Sequence, residues 1–295
     1  MIIVQYNINF NVNDGTNRLE NIIFVLLMCI DADIICLQEV HRDIRRRIAD
    51  ELSSVYKYID SREPTQRYDT MILSKHKIVD TFRIKYLSSK MGRNICITKI
   101  EYGTGTPKNI FVCTTHFESE FEIVNTKISQ YEECSSYLEN IFSEQKYPVI
   151  LCADTNICKK TQNVFNKNFS CDDGWKDAWI ESGLPLNSKY TYDSTTNPYI
   201  LHMQKCKSSP LRKGIRSRID RILFIGNLMC NTTKLTGTSD DRSKLFSDHY
   251  GVIANFTFTA DLSEKERQSI NDSYMGKYYD SKSLDSGIKI TSMFK

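Results

Sequence analysis

No apolar run in the sequence exceeds the nine residues from Ile22 to Ile30, far short of the roughly 20 that a membrane-spanning helix needs. None of its ten cysteines forms a C-x-x-C pair, so neither a disulfide framework nor a structural zinc site is indicated. Cys36, Cys113 and Cys152 lie instead within apolar, strand-like runs, where a free thiol packs as a small hydrophobe. There is no Gly-rich phosphate loop, no H-E-x-x-H and no G-x-S-x-G, which removes support for nucleotide kinase, zincin and serine hydrolase chemistry. No basic-then-apolar leader precedes the first strand-like segment, and a reducing intracellular setting is the expectation, with nothing to select nucleus from cytoplasm. A net charge of +3 does not announce a polyanionic partner, so any such case rests on where the charges sit.

What is present is an alternation of strand-like and helix-like segments without internal repeat. Ile2 to Ile8 reads as a buried strand, and Asn13-Asp14-Gly15 as a turn. Leu19, Ile22, Ile23, Leu26, Leu27 and Ile30 recur with the period of an amphipathic helix. Asp33 to Leu37 is a short apolar strand that delivers Gln38 and Glu39 at its end. Ile44, Ile48 and Leu52 mark a second helix, with Arg45, Arg46 and Arg47 expected on its outer side. Strands are expected at 69–73, 94–100, 110–115, 149–153, 219–225 and 251–258, and a long helix from Val124 to Phe142. Strands outnumber helices and several connections are too short for crossover helices, which predicts an α+β fold of mixed β-sheets packed face to face with helices outside. Lys205 to Arg218 holds six basic residues and no acidic one. After Leu262, Ser, Lys, Asp and Tyr dominate, the composition of a mobile tail or a loosely attached helix.

Polar residues gather at the ends of these strands. Asn7 follows the first, Glu39 the second, His116 the strand ending at Thr115, and Asp154 with Asn156 the strand ending at Ala153. Asp220 opens one strand and Asp248-His249 precede the last. Each alone fits a turn or cap. Together, with two of only five histidines in such contexts, they form a candidate rim of carboxylates, amides and imidazoles. Such a set suits attack on a phosphate: hard oxygen ligands hold Mg²⁺, and imidazole and amide groups stabilise an anionic transition state. Asp154 and Asn156, two apart, are expected on one side of their strand.

The ordered motifs Tyr6-Asn7, Leu37-Gln38-Glu39-Val40, Thr115-His116-Phe117-Glu118-Ser119, Ala153-Asp154-Thr155-Asn156, Arg218-Ile219-Asp220-Arg221-Ile222 and Ser247-Asp248-His249-Tyr250-Gly251 resemble those of the DNase I-like endonuclease/exonuclease/phosphatase superfamily. Within it the chain is most similar to the tyrosyl-DNA phosphodiesterase 2-like sub-family, through Thr-His-Phe-Glu-Ser, Lys90 to Asn94, Asp177-Ala178-Trp179 and Tyr190 to Asp193.

The resemblance implies a four-layer α/β sandwich over residues 1–260, with 261–295 as a polar tail. It implies Mg²⁺, with Mn²⁺ as the substitute, held by Glu39, Asp248 and Asn7. Asp154 would orient or deprotonate the attacking water, and Asn156 would hold that water or the phosphate. His116, Ser119 and His249 would contact the phosphate, with Asp220 orienting His249. Tyr68, Arg93, Tyr192, Arg216 and Arg218 would bind substrate. The implied substrate is a DNA or RNA 5′ end carrying a tyrosyl peptide, acted on by a monomer without a membrane, to leave a 5′-phosphate. The alternatives are another phosphoesterase of the superfamily (nuclease, deadenylase or lipid phosphatase), or a catalytically dead protein that holds DNA ends. Three positions depart from the family pattern: Cys158 stands where arginine is usual, and Tyr192 and Tyr6 stand where tryptophan is.

Overall fold

Strands form where β-branched and aromatic residues alternate across two faces, and both faces here find a partner layer. The computed structural model describes every residue except 12–15, 28–30, 64–65, 104, 121–122, 207–213, 239–243, 260–262 and 287–295. β1 (Ile2–Asn7) and β2 (Ile34–His41) run parallel, from Ile3 against Ile34 to Asn7 against Gln38. β3 (Tyr58–Ile59) and β4 (Tyr68–Ser74) extend that sheet, with β4 antiparallel to β2. β5 (Lys77–Lys85), β6 (Asn94–Tyr102) and β7 (Lys108–His116) begin a second sheet as an antiparallel meander. β8 (Val149–Asp154) joins parallel to β7.

The two-residue β9 (Lys176–Asp177) marks one edge of that sheet, and β10 (Tyr192–Asp193) and β11 (Arg216–Ser217) pair with each other. β12 (Asp220–Ile225) inserts antiparallel between β8 and β9. β13 (Leu228–Thr236) and β14 (Gly251–Phe258) return to the first sheet, where β14 lies antiparallel to β1. The sheet orders are β13-β14-β1-β2-β4-β3 and β5-β6-β7-β8-β12-β9. Both sheets are mixed, as the short connections predict.

Three apolar layers follow from the alternation. Ile3, Ile34, Cys36 and Ile72 of the first sheet meet Cys96, Val112, Ile150, Cys152, Ile222 and Phe224 of the second. The other face of the first sheet (Val4, Tyr6, Ile35, Leu37) packs on Ile44 and Ile48 of α1 (Arg42–Glu51). The other face of the second (Ile97, Cys113, Leu151, Leu223) packs on Tyr131, Cys134 and Leu138 of α2 (Val124–Gln145). The result is helix, sheet, sheet, helix.

Local details differ from the sequence-based expectations. The expected helix from Leu19 is helical only as Arg18–Glu20 followed by a π-helical Asn21–Leu27, and Ile30 lies outside the described residues. Arg45 is not on the outer side of α1: it is 1% exposed and makes two 3.0 Å bonds to the buried Asp60 carboxylate, which also receives Arg83. Its neighbour Arg46 does point outward, to Glu63. A buried carboxylate demands such partners, and Asp60 draws Arg45 inward to supply one.

Of the two readings of the polar C-terminal segment, a mobile tail or a loosely attached helix, Glu264–Ser286 takes the second and forms a helix, α3. Tyr274 is its anchor, 3% exposed against Trp179 and Ile180. Its hydroxyl accepts the Asp177 backbone N–H at 3.0 Å, and Lys277 donates to the Glu181 carbonyl at 2.6 Å. Tyr274→Ala is expected to lower the unfolding free energy by about 3 kcal/mol in denaturant titration, and Tyr274→Phe by about 1 kcal/mol. Equal stability of Tyr274→Ala and the parent would contradict a docked α3.

Candidate active site

Along each central strand the residues that face the opposite sheet run from apolar to polar toward one end of the sandwich. β1 presents Ile3, Gln5 and Asn7, and β2 presents Ile34, Cys36 and Gln38. β7 reads Val112, Thr114, His116; β8 reads Ile150, Cys152, Asp154; antiparallel β12 reads Phe224, Ile222, Asp220. Register sets His116 beside Asp154, and Asp154 beside Asp220. The strand period of two therefore delivers a polar row without any loop having to fold over it.

Hydrogen bonds tie the row to the first sheet. Gln5 Nε2 donates to Asp220 Oδ1 at 2.9 Å and to Gln38 Oε1 at 2.7 Å, and Gln38 Nε2 donates to Thr114 at 2.8 Å. Asn7 Nδ2 donates to Asp154 Oδ2 at 2.8 Å and to Glu39 Oε1 at 3.2 Å. Asn9, two residues further on, donates to Asp248 Oδ1 at 2.8 Å, and the Phe10 N–H donates to Glu39 Oε2 at 2.9 Å.

Three of the five described non-glycine residues with positive φ lie on this rim: Asn9 (61°), Glu39 (58°) and Asn156 (44°). At Glu39 the β2–β4 register slips between Leu37 and Val40, a bulge that re-aims the carboxylate at the cost of backbone strain.

The two imidazoles are set to opposite states. Arginine only donates, so Arg93, 2.9 Å from His116 Nδ1, makes that nitrogen the acceptor and leaves the proton on Nε2. Nε2 then faces Asp154 Oδ2 at 3.3 Å. Burial first, and then the charges of Arg93 and His249, hold His116 well below the usual imidazole range. His249 Nδ1 donates to Asp220 Oδ2 at 2.8 Å. Burial opposes its charge, but the Asp220 and Asp154 carboxylates outweigh burial and keep it protonated well above the usual range. Its Nε2 stands 3.9 Å from Asp154 Oδ2, too far for a hydrogen bond.

Asp154 itself is raised from the usual carboxylate range, by burial and then by Asp220. Glu39 is raised likewise, by burial and then by Asp248. Asp154, Asp220 and His249 are the one set among the described residues with ligand-type atoms within 4.8 Å of one another. A protonated imidazole has no lone pair to give, so this trio reads as a hydrogen-bonded relay, and Glu39 and Asp248 are the carboxylates outside it that could hold a divalent cation.

Other residues named from the sequence distribute unevenly. Tyr68 stacks on Phe10 (centroids 5.0 Å, 21°), and Arg93 lies 5.4 Å from its ring centroid. A small recess beside the rim is lined by Glu39, Tyr68, Arg93 and His116. Tyr192 meets His249 edge-on at 5.6 Å. Asn156 does not share the Asp154 face, because the strand ends at Asp154: its N–H donates to Asp154 Oδ1 at 3.1 Å, while its amide donates to the Phe117 carbonyl at 3.0 Å.

Ser119 is turned to Met91, 3.6 Å away. Arg218 is not offered to a ligand in the way the sequence suggests: both Asp177 oxygens hold it, at 2.7 and 3.0 Å, and it lies 4.5 Å from the Trp179 ring centroid. Arg216 is held by Asp193 at 2.9 Å with its side chain 51% exposed. Within the basic stretch, Lys207, Arg212 and Lys213 lie outside the described residues. Sequence reasoning gave Gln38 no role of its own and missed Gln5, Asn9 and Phe10. Counting back by two from Asn7 finds Gln5; nothing in the sequence flags Phe10.

A fold and a rim of this kind define a phosphoesterase architecture, and the chain belongs to the Endonuclease/Exonuclease/phosphatase family, whose model matches residues 4–249. The 5′-tyrosyl-DNA phosphodiesterase of Caenorhabditis elegans is 28% identical over 233 residues, spanning 77% of this chain and 59% of that protein. Tyrosyl-DNA phosphodiesterase 2 of Rattus norvegicus is 26% identical over 253 residues, 81% of this chain and 63% of that protein. The crystal structure of truncated Caenorhabditis elegans TDP2 matches with a TM-score of 0.68 at 26% identity, over 87% of this chain and 96% of that one. The chain thus spans about 60% of the length of these curated relatives. No helix among the described residues is long and apolar enough to cross a membrane.

If the buried amide of Gln5 fixes the relay, Gln5→Leu leaves one Asp220 oxygen without its donor and costs about 2 kcal/mol of stability. A denaturation midpoint identical to that of the parent would count against this.

Proposed function

We propose that the chain is a Mg²⁺-dependent phosphodiesterase that hydrolyses the bond between a nucleic-acid 5′-phosphate and a protein tyrosine, leaving the 5′-phosphate on the strand. The observation that carries the reading is the joint one. Relatives named for this activity match across the segment that builds the rim, and the rim offers carboxylates, a neutral imidazole and a charged one around a single point.

Glu39 and Asp248 would hold the ion, with Asn7 alongside. The fit rests on charge: Glu39 is driven up by burial and then by Asp248, and a divalent cation held by these carboxylates would relieve that repulsion. Bound there, Mg²⁺ supplies charge stabilisation for the phosphoryl oxygens; Mn²⁺ meets the same oxygen donors.

Asp154, raised toward neutrality, is suited to take a proton from the attacking water. His116 Nε2–H and the His249 imidazolium both lie within 4 Å of Asp154 Oδ2, so a phosphate oxygen approaching the rim would meet two donors. Asp220, pinned by Gln5 and by the Thr191 hydroxyl, keeps His249 oriented and charged. Water oxygen bonds to phosphorus as the phosphorus–phenol oxygen bond breaks. The departing phenolate has a conjugate acid of pKa about 10, so it leaves without a strong general acid behind it. Tyr68, Arg93, Tyr192 and Arg216 would line the substrate. Ser119 could join the phosphate contacts only by turning away from Met91. DNA or RNA adducts, a monomeric intracellular protein and a catalytic unit over residues 1–260 complete the proposal.

With Mg²⁺ and a 5′-tyrosyl oligonucleotide, the protein should release tyrosine and leave a 5′-phosphate. Glu39→Gln should lower turnover by about 10²- to 10³-fold with an unchanged melting curve. Cleavage of abasic DNA or an inositol phosphate without tyrosine release would point to another activity of the family. Strand binding without turnover, indifferent to Glu39→Gln, would point to a binding protein.

A further inference from the structure

Arg93 sets the tautomer of His116, yet no carboxylate among the described residues holds Arg93. Its guanidinium bonds to His116 Nδ1 at 2.9 Å and reaches the Met91 sulfur at 3.7 Å, beside the Tyr68 ring. Its Nε is buried without a partner, and the residue as a whole is 5% exposed. A buried cation without an ion pair of its own is not fixed by charge, so its place depends on the backbone that carries it.

That backbone is the turn from β5 to β6. It closes where the Tyr86 N–H donates to the Arg93 carbonyl at 3.1 Å. None of the residues from Leu87 to Gly92 is buried, and Gly92 turns the chain with a φ of 74°. Apolar packing therefore does little to hold this turn, and two carboxylates do the holding. At the tip, Glu133 of α2 accepts the Leu87 N–H at 2.9 Å and the Ser88 hydroxyl at 3.4 Å. At the base, Glu118 Oε1 alone accepts the Ser89 hydroxyl at 2.9 Å, the Lys90 N–H at 2.6 Å and the Met91 N–H at 3.0 Å. The Ser89 oxygen in turn accepts the Arg93 N–H at 2.7 Å.

Glu118 is fully buried and stands two residues after His116. Its own N–H donates to Gln130 Oε1 of α2 at 2.9 Å, and the Phe117 N–H donates to the Asp154 carbonyl at 3.1 Å. One short segment thus carries both the imidazole and the anchor of the arginine that faces it. A carboxylate at this depth is costly unless its acceptor capacity is used, and all three of its side-chain bonds go to the turn that delivers Arg93.

We infer that Glu118 is a positioning residue: through Ser89 and the turn, it keeps Arg93 against His116 Nδ1 and so keeps the donor proton on His116 Nε2. Its effect on turnover rests on the reading of His116 as a phosphate donor given above; its effect on the tautomer does not.

The test reads the His116 ring by nitrogen-15 spectra in Glu118→Ala, Ser89→Ala and Glu118→Gln, with melting curves to follow folding. Ser89 is half-buried, so Ser89→Ala decides the matter if Glu118→Ala does not fold. Both alanine variants should show an Nδ1-protonated fraction of His116 that the parent lacks. Their kcat on a 5′-tyrosyl oligonucleotide should fall about tenfold, with KM within about twofold of the parent. Glu118→Gln keeps an accepting oxygen and should restore the parent tautomer. In an Arg93→Met background the Ser89 and Glu118 changes should lower kcat no further, because they act through Arg93. A merely structural anchor would lower the melting temperature without moving the tautomer. A His116 ring that keeps its Nε2 proton in folded Ser89→Ala, an additive loss in the Arg93→Met background, or Glu118→Gln that matches Glu118→Ala would overturn the assignment. A tautomer that shifts as described, in a protein that releases no tyrosine, would overturn the functional reading alone.

Discussion

A strand in a stacked sheet cannot choose which residues face its neighbour once one of them does. In β1, β2, β7, β8 and β12 the inward positions away from the rim are apolar, and burial of those residues fixes the register of both sheets. A slip of one residue would exchange every buried side chain for its outward neighbour. The same constraint then carries Gln5, Asn7, Gln38, His116, Asp154 and Asp220 to one end, facing each other across the sandwich. The polar row is held by the energy of the apolar core beneath it. No separate device is needed to assemble it, although Glu39, Asn9 and Asn156 require local strain to complete it.

Electrostatics divides labour between chemically identical groups. His116 and His249 both turn Nε2 toward the same Asp154 oxygen, at 3.3 and 3.9 Å, yet one backs onto an arginine and the other onto a carboxylate. The arginine fixes a neutral tautomer with its proton on the side of Asp154, and the carboxylate fixes a cation. An anionic substrate can therefore be met by a cation and by a neutral donor without a rearrangement of protons. Gln5 and Asn7 hold the carboxylates that make this division, which is why amides buried between two sheets matter as much as the charged residues.

Much of this was legible in the sequence, for identifiable reasons. Central strands with both faces buried announce themselves as apolar runs, and the polar residues that end them stand out against those runs. Edge strands do not: β5, with Val79 and Phe82 exposed, and the Thr-rich β13 bury too little to leave a pattern. Arg45 reads as a surface residue because nothing local reveals Asp60, the partner that buries it. Arg218 reads as a nucleic-acid contact because its clamp, Asp177, is brought by β9 from 41 residues away. Asn156 reads as a companion of Asp154 because alternation was extended one step past the end of β8. In each case the missing information was a tertiary contact, or the residue at which regular structure stops.

The central claim is that the two sheets fix the protonation of two imidazoles in opposite senses, and it can be measured directly. With only five histidines in the chain, nitrogen-15 correlation spectra of the metal-free protein at neutral pH can assign each ring. His116 should appear as the neutral tautomer protonated at Nε2. His249 should be protonated at both nitrogens, with its Nδ1 proton shifted downfield by the bond to Asp220. Two rings with the same tautomer mixture and the same protonation would contradict the account.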